Sequence, residues 1–290
     1  MTNNPVQVVL VGCGAVSQTL YSFALHALEK LGEAKVRALI DPSDSQRLQL
    51  LKSFPGAATY TDLSQCPLDQ DTLVIVASPP KWHADHSMFA LEQGVPVLCE
   101  KPIARTSGEA ESMIAVSEQH KTLLAVGHFR RFFPASQMLR TIFERRPFGN
   151  LEQFSIQEGG KFAWGVTSPA LFQRDYTPGG VFYDSGIHVI DLLFWWLGEP
   201  LESTYSDDAM GGLEANCRLD LTYAGNARGT VRLSRDWATS NQYIFQFEGG
   251  KVVYDVGNAN RLGLLIDGLP LMFGGDLFSI DTTSTAVMSQ

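Results

Sequence analysis

No two of the four cysteines form a C-x-x-C pair, and Cys13, Cys66, Cys99 and Cys217 each fall in or beside an apolar run. That spacing argues against a disulfide framework or a thiolate zinc site and reads as buried, reduced small hydrophobes. Basic residues are in deficit: 22 Lys and Arg stand against 31 Asp and Glu, a net charge of -9. So acidic a chain is poorly suited to neutralising a nucleic-acid backbone or lying on an anionic membrane. Long apolar runs are missing too. The most apolar helical stretch, Val189 to Leu197, is interrupted by Asp191 and is too short to span a bilayer. The opening Met-Thr-Asn-Asn-Pro puts no basic segment before an apolar one, so no signal peptide is read and a cytoplasmic location is expected. No repeat or low-complexity linker interrupts the chain.

What is present is a globular composition, 44% hydrophobic and 18% charged over 290 residues, with room for two domains. The first part, residues 1–130, alternates short apolar runs with helical patterns, the rhythm of βαβ units and a doubly wound parallel sheet. Strands are expected at Val6–Val11, Val36–Ile40, Leu73–Ala77, Val95–Cys99 and Leu123–Val126. A helix follows the first, with Leu20, Phe23, Ala24, Ala27, Leu28 and Leu31 as its apolar stripe. Residues 131–290 change period. A helix over Pro134–Arg145, a strand over Leu151–Glu158 and a helix near Val181–Leu197 give way to alternating strands punctuated by turns at Gly225, Gly249, Gly257 and Gly268. This predicts an α+β domain with a large, mostly antiparallel sheet.

Several segments carry chemistry. Gly12-Cys13-Gly14-Ala15-Val16-Ser17 joins the first strand to its helix: Gly12 permits the turn, Gly14 lets backbone approach a pyrophosphate, and Ala15 and Val16 open the helix. Ser17 stands where the dinucleotide fingerprint has a third glycine. Asp41 ends the second strand, where it can accept from ribose hydroxyls, though it also suits a plain turn before Pro42. With proline next and not arginine, NAD is favoured over NADP, which Arg47 and Lys35 keep possible. Ser78, Pro79 and His83 leave the C-terminal end of another strand, where ligands sit in open α/β sheets; His83 serves equally well as a structural residue. Glu100-Lys101-Pro102 puts two charges at the end of a buried strand, poor core material and good site material. Asp184 and His188 stand four apart on one helix face, as a carboxylate orienting an imidazole requires. A solvated helix face is the plainer alternative. A metal held by Asp184, His188 and Asp191 lacks further ligands in the pattern, so none is expected.

These pieces, with Gly127-His128-Phe129-Arg130-Arg131 and Gly179-Gly180 ahead of Asp184, resemble in order the Gfo/Idh/MocA oxidoreductase superfamily of glucose–fructose oxidoreductase and inositol dehydrogenases. The resemblance implies a Rossmann domain followed by an α/β domain whose open sheet serves as a homo-oligomer interface. It implies too that Lys101, Asp184 and His188 line the place where nicotinamide meets substrate. Glu100 and Lys101 join the cofactor set of Gly12, Gly14, Ala15, Val16, Asp41, Ser78, Pro79 and His83. Arg131 and Trp164 join the substrate set of Lys101, Asp184 and His188. Many relatives continue beyond the point corresponding to Gln290, so either a short form or a missing C-terminal part is expected.

The expected activity is NAD(P)-dependent hydride transfer at a secondary alcohol or ketone of a sugar, inositol or similar polyol. His188 is the base, Asp184 its partner, and Lys101 the cation for a developing alkoxide. Two rivals share the scaffold: an NAD-dependent glycosidase or lyase with transient redox, and a non-catalytic nucleotide-sensing regulator.

Overall fold

The computed structural model describes residues 4–163, 165, 169–266, 269–274 and 280–281. They fall into two compact units, one from residues 1–127 and 164–178, the other from residues 128–163 and 179–290. The first boundary lies three residues before the expected one at residue 130. The short return of 164–178 to the first unit has no sequence signature, because irregular backbone shows no period.

The first unit holds β1 (Val6–Val11), α1 (Ser22–Lys30), β2 (Ala34–Ile40), α2 (Asp44–Leu51), β3 (Ala58–Tyr60), β4 (Thr72–Val76), α3 (His83–Leu91), β5 (Val97–Cys99), α4 (Ser107–His120) and β6 (Leu124–Val126). Its six strands are all parallel, in the order β3-β2-β1-β4-β5-β6, the doubly wound arrangement. Successive residues of β1 serve different cores. Val9 and Val11 pack with β4 and α3, whereas Val8 and Leu10 pack with Leu25 and Leu50 on the other face. Helices on both faces thus explain why β1 is an unbroken apolar run.

Three local differences from the sequence expectation have physical causes. β5 starts at Val97 because Pro96 has no N–H to give the ladder. β3 is a short edge strand without an apolar run to announce it. Most of the expected apolar stripe of this helix does not face the core: Leu20, Phe23 and Leu31 are 47%, 81% and 71% exposed. Leu25 is buried instead, with Tyr21 and Leu28 packed beside it. Residues Ser17–Tyr21 are π-helical, and this wider turn sets the rotation with which α1 leaves the glycine loop.

The second unit contains α5 (Pro134–Arg145), β7 (Leu151–Gly159), α6 (Ile187–Leu197), β8 (Glu202–Asp207), β9 (Asn216–Thr222), β10 (Arg228–Ser234), β11 (Gln242–Phe247), β12 (Gly250–Asp255), β13 (Arg261–Ile266), β14 (Leu269–Gly274) and β15 (Ile280–Asp281). The nine strands run β15-β14-β13-β12-β11-β7-β10-β9-β8. Every neighbouring pair is antiparallel except β7 with β10. Alternation sends Cys217, Leu219 and Leu221 of β9 and Tyr243, Phe245 and Phe247 of β11 to one face, where Leu139 of α5 and Leu192 and Trp196 of α6 close the core. Among the described residues no helix is long and apolar enough to cross a membrane.

Candidate active site

In the first unit the glycine turn is fixed by contact as well as by conformation. Gly12 has φ +93°, and a Cβ there would lie 2.5 Å from the carbonyl oxygen of Ala77 and the nitrogen of Ser78. Only glycine lets the turn after β1 pass so close to the segment leaving β4. Ser17, in place of the third glycine, is fully buried and donates its hydroxyl to the Gly12 carbonyl at 2.5 Å. The helix opens at Ala15 and Val16, so its first N–H groups face the turn. Asp41 lies against this turn: its Oδ2 accepts from the Cys13 N–H at 2.9 Å and its Oδ1 from the Ser43 N–H at 2.8 Å. Arg47 is committed to its own helix end, donating to the Asp41 carbonyl and the Asp44 carboxylate. Burial, and then the charge of Asp41, push the Cys13 thiol up to about 12, so it is inert at neutral pH.

Next to this turn, His83 is buried, and its Nδ1 and Nε2 lie 2.7 Å from the carbonyl oxygens of Pro102 and Ser78 respectively. It ties the segment after β4 to the segment after β5. Ser78 meets His86 through its hydroxyl at 3.0 Å from Nδ1, and Pro79 precedes the 3₁₀ turn Pro80–Trp82. Trp82 stays 41% exposed. The Lys81 ammonium sits 5.2 Å from the Trp82 ring and 5.0 Å from that of Tyr176, which docks residues 169–178 here. Glu100 accepts from the Tyr21 hydroxyl at 2.8 Å and from the backbone N–H of Lys101 at 3.2 Å. Burial and then the neighbouring carboxylate drive the Tyr21 hydroxyl well above its usual range, so it remains a donor. Lys101 is half-buried just past β5.

In the second unit Asp184 lies inside a π-helical turn, Phe182–Gly186, which runs directly into α6. Asp184 Oδ2 is 3.3 Å from Arg235 Nη2, and the Arg235 guanidinium lies 5.7 Å from the centre of the Phe162 ring. His188 is 6% exposed, with Phe129 edge-on at 5.1 Å and His128 at 6.4 Å between ring centres. One turn further along α6, Asp191 takes a two-pronged contact from Arg131, at 2.8 Å from Nε and 2.5 Å from Nη2. His128 Nδ1 is 3.7 Å from the same carboxylate. Arg130 makes a two-pronged pair with buried Glu158, which also accepts from the Tyr243 hydroxyl. Of the tandem tryptophans, Trp196 is core and donates to the Ser136 carbonyl at 3.0 Å.

The expected residues that the structure describes therefore stand in one of two settings. Gly12, Gly14, Ala15, Val16, Asp41, Ser78, Pro79, His83, Glu100 and Lys101 gather at the C-terminal ends of β1, β2, β4 and β5; Arg131, Asp184 and His188 gather around the start of α6. Trp164 lies outside the described residues. Sequence reasoning missed Arg235, Tyr21 and Glu214, and it quoted Phe129 inside a motif without giving it a role. Each meets its partner across a long stretch of chain.

Two family models match the chain. Residues 6–128 match the family described as "Oxidoreductase family, NAD-binding Rossmann fold". Residues 136–253 match the "GFO/IDH/MocA C-terminal domain". The chain belongs to the GFO/IDH/MocA oxidoreductase family. Among its relatives, the rhizopine catabolism protein MocA of Rhizobium meliloti is 32% identical over 191 residues, which cover 66% of this chain and 56% of that protein. The D-glucoside 3-dehydrogenase of Escherichia coli (strain K12) is 28% identical over 69% of this chain and 56% of its own length. An inositol 2-dehydrogenase of Leifsonia xyli subsp. xyli is 29% identical over 67% of this chain and 55% of its own. The match thus spans little more than half the length of these relatives. Levoglucosan dehydrogenase, solved with NADH and levoglucosan, has the same fold, with a TM-score of 0.79 at 20% identity over 91% of this chain and 76% of that one. So has the WlbA dehydrogenase of Chromobacterium violaceum, solved with NADH and UDP-GlcNAcA, with a TM-score of 0.78 at 20% identity over 87% of this chain and 74% of the other.

Proposed function

We propose that this protein is an NAD-dependent dehydrogenase or reductase acting on a secondary alcohol or ketone of a sugar, inositol or similar polyol. One observation carries most weight: Asp184, held by Arg235, lies four residues before the buried His188 at the head of a helix. That is the arrangement of a carboxylate and an imidazole prepared for general-base work. Family membership and the dehydrogenase names of the relatives support the same class.

The first unit suits a dinucleotide. Gly12 lets the turn close against the segment after β4, Gly14 lets backbone approach a pyrophosphate at the opening of the helix from Ala15 and Val16, and Asp41 beside the turn offers a carboxylate to ribose hydroxyls. Ser78, Pro79 and Glu100 complete the cradle, with His83 holding two of its segments together. Arg47 is already engaged by Asp44 and the Asp41 carbonyl, which favours NAD over the 2′-phosphorylated form. When bound, nicotinamide accepts or returns the hydride. In alcohol oxidation His188 takes the hydroxyl proton, Asp184 stabilises the imidazolium that results, and the Lys101 ammonium offsets negative charge on the oxygen. Arg131 braces Asp191 beside this pair, and with Trp164 it is proposed to contribute to substrate selection. The second sheet has helices on one face and Arg218, Asp220, Arg228 and Thr230 on the other, and we propose this other face as a homo-oligomer contact.

The test is titration with NADH and NADPH, following fluorescence transfer from tryptophan, then a screen of polyols for NAD⁺ reduction. Saturable NADH binding and turnover of a polyol support the assignment. Absence of binding to either nucleotide in folded protein that carries none on purification rejects it. Tightly held NAD⁺ with no net NADH formation would point to the transient-redox lyase instead.

A further inference from the structure

Resting on the dehydrogenase assignment, we infer that Glu214 is the positioning residue for the Asp184–His188 helix, a clamp that fixes where both side chains stand. The helix opens at Val181, so its first backbone N–H groups have no acceptor within the helix. A local Ser, Thr, Asp or Asn ordinarily supplies one. Here the residue before the helix is Gly180, which has no side chain to offer. Glu214, more than thirty positions along the chain, satisfies three consecutive amides at once. Its Oε2 accepts from the Gly180 N–H at 2.8 Å and its Oε1 from the Phe182 N–H at 2.9 Å. Its backbone carbonyl accepts from the Val181 N–H at 3.0 Å.

The fit is close and dry. Glu214 is buried, and a Cβ at Gly180 would collide with the Glu214 backbone, so the clamp requires glycine at this position. A carboxylate at this end also matches the positive pole of the helix. The Cys217 thiol close by is pushed up to about 12, by burial first and the Glu214 charge second.

The clamp bears on the site through the backbone. Asp184 N–H donates to the Gly180 carbonyl at 3.0 Å, so Asp184 stands one turn from the clamped residue. The intervening turn is π-helical, a geometry that carries an extra residue and persists only where its surroundings hold it. If the clamped end slips by one residue, the side chains downstream rotate by about 100° relative to the sheet. Arg235 holds Asp184 on its strand side, and Glu214 holds the start of the same turn.

The experiment compares wild type with E214Q, which keeps the shape but turns an NH₂ group toward one of the two side-chain-bonded amides. The expected result is kcat on the polyol lowered roughly 10- to 100-fold with NADH affinity unchanged, and a pH–rate profile displaced because His188 no longer stands in its native setting. In a D184N background the E214Q effect should be smaller, since one of the two side chains that the clamp positions no longer carries its charge. Wild-type kcat with an unmoved pH profile, or an equal loss in both backgrounds, overturns the clamp. Amide hydrogen exchange gives a readout free of activity. Gly180, Val181 and Phe182 should exchange slowly in wild type and at least about 10-fold faster in E214Q. Exchange at the rate of an exposed loop in wild type overturns the inference even if no variant folds. E214D replaces E214Q if the latter is unfolded. If wild type turns over no polyol, the dehydrogenase assignment has failed, and exchange at these amides with the NMR titration of His188 decides the clamp by itself.

Discussion

Arg235 and Asp184, fifty-one positions apart in the chain, meet at 3.3 Å in the second unit, with the Arg235 side chain only 12% exposed. The pair joins the residue just beyond β10 to the π-helical turn ahead of α6. It places a partly desolvated cation on the carboxylate proposed to orient His188. An arginine here fixes the Asp184 side chain in place through a charge-assisted hydrogen bond.

Removing that cation should therefore affect turnover before it affects stability. Arg235→Gln is expected to lower kcat by roughly 100-fold while leaving the affinity for NADH within a factor of about two. Arg235→Lys should recover part of the loss, because it restores the charge without the planar fork. Steady-state kinetics alongside nucleotide titration measure both quantities, and loss of NADH binding in Arg235→Gln would contradict the division of labour proposed for the two units.

His188→Gln and Lys101→Met act on different atoms of the same reaction. Loss of the base should cost roughly 10²- to 10⁴-fold in kcat. Loss of the cation proposed to offset the developing alkoxide should cost roughly 10²- to 10³-fold. Both proteins should keep the far-ultraviolet circular dichroism of wild type, since Lys101 is only half-buried and glutamine is close to the buried His188 in volume. Full activity in either variant removes that residue from the proposed mechanism.

Gly12→Ala should abolish nucleotide binding and destabilise the first unit. The new methyl group would sit 2.5 Å from backbone atoms of Ala77 and Ser78, which cannot swing aside as a side chain can, and φ of +93° adds conformational strain. The strain by itself is worth about 1–3 kcal/mol. Urea unfolding and NADH titration of the same sample give the two numbers; a midpoint and an affinity equal to wild type would show that the turn is looser than the contact implies.

Acid should weaken the fold through two histidines. Burial, the largest influence on each, holds both His83 and His86 below the ordinary value of 6.5. Above that value both are neutral whether the chain is folded or not, so their contribution is fully present. As pH falls past 6.5 the unfolded chain takes up protons that the folded one resists, and stability declines until the folded values are reached. Urea midpoints at pH 7.5 and 5.5 should differ accordingly, and the difference should shrink in His86→Asn. An unchanged difference in that variant would assign the acid sensitivity elsewhere.

Much of this protein could be read from local pattern. Val6–Val11 and Pro134–Arg145 have the same ends in sequence and structure, because a strand buried on both faces and a proline at a helix start leave strong local marks. The stripe assigned to α1 misled for an equally physical reason. Periodicity finds apolar spacing but not which face the sheet will cover, and a π-helical turn upstream reset that choice toward Leu25.

By itself, then, the sequence determined the alternating rhythm of the first unit apart from β3, the glycine turn after β1, and the four-residue spacing of Asp184 and His188. These depend on residues within a few positions of one another, where backbone geometry fixes what each can reach. Tertiary structure alone decided that Ser17 bonds to the Gly12 carbonyl in place of a third glycine, that Tyr21 holds Glu100, and that Arg235 and Glu214 hold the start of α6. It also decided that β7 pairs in parallel with β10 inside an otherwise antiparallel sheet. Most of these contacts join distant parts of the chain, and even the Ser17 bond depends on which way its helix is turned. Such contacts form only once burial has brought the elements together, and no spacing within a single element encodes which distant side chain will complete it.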